Sequence, residues 1–72
     1  MLRIKDIRED RGMKQKDVAE FLNISQTNYS KYELGKINIP IETLKKMSTL
    51  FNTSVDYLLG LTNEVKPYPR VK

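Results

Sequence analysis

Residues 15–35 read QKDVAEFLNISQTNYSKYELG, and their reading decides the fold. Val18, Ala19 and Leu22 recur at helical spacing, which predicts a helix over 15–22 with those three side chains inward. Ala19 is small enough for a second helix to cross closely. Asn23-Ile24-Ser25 then supplies a residue that tolerates φ > 0, an apolar anchor and a helix N-cap. A second helix is expected over 26–34, stopped by Gly35. At 100° per residue, Tyr29 and Tyr32 share one side of it, while Gln26, Thr27, Ser30 and Lys31 cover the other. Two short helices joined by such a turn form a helix-turn-helix, the unit that lays its second helix in the major groove of DNA.

The polar face has unusual chemistry for a solvated surface. Exposed helix faces commonly pair Glu with Lys. Here an amide, two hydroxyls and one cation stand together with no carboxylate among them. Those groups suit base edges: Gln to adenine, the Thr methyl to a thymine methyl, Lys to guanine acceptors. The plain alternative is a solvated face, and the turn and the Ala19 helix before it weigh against that.

Outward from this centre, Ile4 and Ile7 lie on one face of a helix expected over 2–11, with Gly12 as its stop. Lys14 falls at the N-cap of the next helix and is a poor cap, so a weak helix start is expected there. Residues 41–51 carry Ile41, Leu44, Met47, Leu50 and Phe51 at helical spacing, and Pro40 suits the helix start. Ser54 caps a last short helix over 55–59, closed by Gly60. No segment alternates as a strand does. The expectation is an all-α, compact five-helix bundle: a DNA-binding domain over 1–60 and a basic, proline-containing tail over 61–72. In the tail, Pro67 and Pro69 bracket Tyr68 among Lys66, Arg70 and Lys72, which forbids a continuing helix. It reads either as a solvated terminus or as an arm against a partner or DNA.

Composition narrows the function. With 72 residues there is room for one small domain, which buries only about 60% of its unfolded surface. Cysteine and histidine are both absent. The usual nucleophiles, general bases and zinc ligands are therefore missing, and no enzyme, metal site or cofactor is expected. No apolar run approaches the roughly 18 residues of a membrane span, and no signal peptide is evident, so a cytoplasmic location is expected. No small-molecule ligand is evident. The net charge of +4 favours polyanions only if the cations converge on one face.

The stretch 4–60 resembles the helix-turn-helix domain of phage repressors and Cro-like regulators, the xenobiotic-response-element family. The resemblance is carried by Ile4, Ile7, Arg8 with Gly12, Gln15, Ala19, Leu22, Ile24-Ser25-Gln26, Glu33, Gly35-Lys36 and the run from Ser54 to Gly60. It implies a five-helix, lambda-repressor-like domain that binds double-stranded operator DNA as a homodimer. By position, Gln26, Thr27 and Lys31 would face bases, with Ser30 on the same face. Gln15 would contact a phosphate and brace Gln26. Ser25, Lys36 and Asn38 would approach the backbone, with Lys14 and Asn28 alongside. Arg8 and Glu33 would pair between the first and third helices. The chain departs from the family with Asn23 in place of the usual Gly, with Lys14 in place of a capping Thr or Ser, and with Ile37-Asn38-Ile39-Pro40 in place of a more basic run. Ile37, Ile39, Val55 and Tyr57 read either as a roof on the core or as a dimer contact. The expected function is sequence-specific transcriptional regulation, by repression at a palindromic operator. The alternative is an antitoxin or other protein-interaction module on the same fold.

Overall fold

Five apolar helix faces converge on one interior in the computed structural model, which describes residues 2–67. In chain order the helices are α1 (Ile4–Asp10), α2 (Gln15–Leu22), α3 (Gln26–Glu33), α4 (Ile41–Phe51) and α5 (Val55–Leu58), and no strand occurs among the described residues. The all-α, five-helix expectation is met. Ile4, Ile7, Val18, Ala19, Leu22, Tyr29, Tyr32, Met47, Phe51 and Leu58 form the core.

The helix ends follow local chemistry. Asn23 adopts φ 59°, ψ 43°, the left-handed conformation that the turn requires. Asn52 does the same after α4 at φ 53°. Short polar side chains make Asn the best non-glycine residue there. Ser25 Oγ accepts the Asn28 N–H at 3.1 Å, and Ser54 Oγ accepts the Tyr57 N–H at 3.0 Å, as N-caps should.

Two expectations are corrected. The start of α2 is not bare: the Asp17 carboxylate accepts the Lys14 backbone N–H at 3.0 Å. This is the reverse half of a capping box, supplied from the third helical position where Lys14 offers no acceptor of its own. Ile41 is not core but 70% exposed. It opens α4 at the edge of the inward face, where the chain has only just entered the bundle. Ser48 takes a buried place on that face, its hydroxyl donating to the Lys45 carbonyl at 2.7 Å.

Long-range polar contacts close the ends of the domain. Arg11 donates from Nε and Nη2 to the Phe51 carbonyl, placing a cation on the C-terminus of α4. Arg3 gives its backbone N–H to the Leu58 carbonyl, and its guanidinium to the Thr62 carbonyl and Asn63 Oδ1. That guanidinium also stacks over the Tyr57 ring, 4.6 Å from its centroid. Thr53, fully buried, donates its hydroxyl to the Val65 carbonyl. Residues 61–66 thus run back along the domain. The readings on Tyr68, Pro69, Arg70 and Lys72 fall outside the described residues.

Candidate nucleic-acid interface

The outer face of α3 is set by what its inner face is anchored to. Tyr29 and Tyr32 are buried, their rings meeting edge to face at 6.4 Å and 86°. With these aromatics committed inward, the face a half-turn away must be outward. Gln26, Thr27 and Lys31 are exposed there, Ser30 is half-buried, and Asn28 is exposed to one side.

Glu33 is the only acidic residue of α3, and it is turned into the protein. Its carboxylate accepts Arg8 Nε at 2.6 Å and Arg8 Nη2 at 3.3 Å. Arg8 spends its remaining nitrogen on the Met13 carbonyl at 2.8 Å. Gln15 Nε2 donates to the same carboxylate at 3.0 Å. The two charged side chains retain 10% and 4% of their exposure, so this is a buried, bidentate pair of the kind that fixes geometry more than it adds stability. Burial pushes the Glu33 carboxyl up, but hydrogen bonding to its neighbours, Arg8 foremost, outweighs that and holds it below the ordinary carboxylate range. The Glu33 hydrogen bond raises the Arg8 pKa. Burial first, then the Glu33 carboxylate, push the Tyr29 hydroxyl above its ordinary range. That hydroxyl is buried and makes no hydrogen bond of acceptable geometry among the described residues.

The pair and Gln15 tie α1, α2 and α3 together behind the outer face, leaving that face free of negative charge. Gln15, Gln26, Thr27, Ser30, Lys31, Leu34 and Lys36 line an open concavity of about 420 Å³. Of the base-facing set, all four line it; of the backbone-facing set, Gln15 and Lys36 do. Lys14, Ser25 and Asn28 are exposed outside that lining. Asn38 lies elsewhere, in a second concavity of about 330 Å³ with Leu2, Gly35, Ile37, Ile39, Leu44 and Leu59. Ile37 is exposed, whereas Ile39 and Tyr57 pack against the core. Ile37 and Ile39 therefore stand together, while Tyr57 lies under Arg3; Val55 is half-buried.

Leu34 escaped the residue-by-residue reading. The signal was available: it follows Gln26 by eight positions and Ser30 by four, on one helical stripe.

A helix-turn-helix family model matches residues 4–58, most of the chain, and the chain belongs to that family, in its phage-repressor and Cro-like branch. Among similar proteins, the HTH-type transcriptional regulator ImmR of Bacillus subtilis is 47% identical over 58 residues, covering 81% of this chain and 46% of ImmR. The SPbeta prophage-derived uncharacterized HTH-type transcriptional regulator YonR, also of Bacillus subtilis, is 40% identical over 61 residues, covering 85% of this chain and 56% of YonR. The HTH-type transcriptional activator BcrR of Enterococcus faecalis is 35% identical over 58 residues, covering 81% of this chain and 28% of BcrR. The chain spans about half the length of the first two. Its family is one of non-enzymatic DNA-binding proteins. Among the described residues, no helix is long and apolar enough to cross a membrane.

Proposed function

We propose that this chain binds double-stranded DNA sequence-specifically as a transcriptional regulator, repressing as a homodimer on a palindromic operator. One observation carries the reading. The outer face of α3 presents amide, hydroxyl and ammonium groups around a concavity free of carboxylates, because the helix's only acid is consumed by Arg8 and Gln15. Gln26, Thr27 and Lys31 discriminate bases, Ser30 supplements them, and Lys36 with Gln15 holds phosphates. Lys14, Ser25 and Asn28 extend the backbone contacts, whereas Asn38 stands beside Ile37 and Ile39. Repression needs no chemistry, since an occupied operator excludes polymerase.

The size of the domain supports dimerisation. A domain measuring 32 × 25 × 24 Å covers one half-site, and two copies side by side reach half-sites about 34 Å apart on one face of the duplex. Ile37, exposed beside Ile39, is the leading contact for the second copy, and Val55 and Tyr57 are the remaining candidates. Selection from a random duplex pool tests the whole reading. A two-fold symmetric consensus is expected, with affinity that falls steeply as salt rises. Absence of any enriched sequence, with a flat salt dependence, would instead favour a protein-interaction module.

A further inference from the structure

We propose that Leu34 is a specificity-determining residue, reading the C5-methyl group of a thymine from the tail of the α3 face. The inference rests on the DNA-binding reading above and adds a residue and a base to it.

Three observations carry it. Leu34 is 64% exposed, among the most open of the large apolar side chains in the domain. It lines the same concavity as Gln26, Thr27, Ser30 and Lys31. Its azimuth completes the stripe: taking Gln26 as the origin, Ser30 falls at about 40°, Leu34 at about 80°, Thr27 at about 100° and Lys31 at about 140°. Leu34, the C-cap residue of α3, therefore shares the azimuth of the polar face and stands at its C-terminal end. A lone exposed leucine is ordinary on a protein surface. One aligned with base-edge donors and acceptors is aimed at whatever those groups approach.

The chemistry then selects the target. An isobutyl group offers nothing to a phosphate and would strip water from it without compensation. Among base edges in the major groove, only thymine presents an apolar group, its C5-methyl. Leu34 lies about two turns beyond Thr27 on nearly the same azimuth, so two apolar groups are spaced along the face with the Ser30 hydroxyl between them in height. The arrangement favours a thymine beyond the bases that Gln26 and Thr27 contact.

Deoxyuridine, which lacks only that methyl, is the probe. Starting from the sequence enriched in the selection, each thymidine is replaced singly by deoxyuridine and affinity is measured by fluorescence anisotropy. For the wild-type chain, two positions per half-site should each lose roughly fourfold, the equivalent of one buried methyl group, one of them read by Thr27 and the other by Leu34. The Leu34→Ala chain should lose nothing further at the latter position, while Thr27→Ser should keep the penalty there and lose its own at the former. Leu34→Met, which retains apolar reach, should keep most of it. An exposed side chain leaves the fold intact when truncated, so unchanged melting is expected for both Leu34 variants. The proposal is overturned if Leu34→Ala retains every deoxyuridine penalty, or if it weakens all duplexes alike. Failure to enrich any sequence removes the DNA-binding reading itself, a distinguishable result.

Discussion

Replacing Arg8 with Met takes the cation out of the buried pair while keeping much of its volume. Three hydrogen bonds disappear, two to Glu33 and one to the Met13 carbonyl, and the Glu33 side chain stays 4% exposed. Breaking one side of a buried pair costs about 3–5 kcal/mol. A 72-residue domain holds on the order of 4–11 kcal/mol in all, so the variant should lose close to half its stability at neutral pH. The pH dependence identifies the cause. In the wild type, Glu33 has a folded pKa below its unfolded value. Its contribution is therefore present above the unfolded pKa, near about 4.3, and is lost as pH falls through the folded pKa. Without Arg8, burial of the carboxyl is opposed chiefly by the Gln15 amide, and the folded pKa rises. Protonation then relieves the variant while it harms the wild type. Urea unfolding followed by circular dichroism at about pH 7 and about pH 3 should show the difference between the two chains shrinking in acid. An equal difference at both pH values would refute the charge-pair reasoning.

Gln26→Ala should cost roughly 1–3 kcal/mol on the enriched site and little on random duplex, whereas Lys36→Ala should weaken both alike and flatten the salt slope by about one unit; competition assays at two salt concentrations separate them. Asn23→Ala should destabilise by about 1–2 kcal/mol through its left-handed φ, and Asn23→Gly should not, as thermal melting will show. Ile37→Glu should leave the monomer folded and abolish cooperative binding to a full palindrome. It is a cleaner probe than a change at Tyr57, whose ring packs on the core and carries Arg3. Persistent cooperativity in sedimentation and gel-shift experiments would move the dimer surface elsewhere.

Much of this was legible in the residues because the signals were local. Helical spacing placed the core of α1 to α3, and the requirement for a left-handed turn residue singled out Asn23. What stayed hidden depends on distance along the chain. The link from Gln15 to Glu33 spans eighteen positions and the bond from Arg11 to Phe51 forty, and no periodicity announces either. Ile41 misled because spacing measures azimuth around a helix and is silent on how far along the axis the neighbouring elements extend. Lys14 misled for the opposite reason: the cap came from Asp17, three residues ahead, when only the cap position itself had been weighed.

The contacts of Arg3 bear on how the domain comes apart. A four-residue helix has too few internal bonds to persist by itself. By holding the Leu58 and Thr62 carbonyls and the face of Tyr57, Arg3 makes α5 share the fate of the first turn of α1. The two extremities of the fold are thereby tied so that they open together. Fraying there can proceed while α3 stays held through Glu33 to Arg8 and Gln15, so opening of α5 and release of α3 are separable events in one small chain.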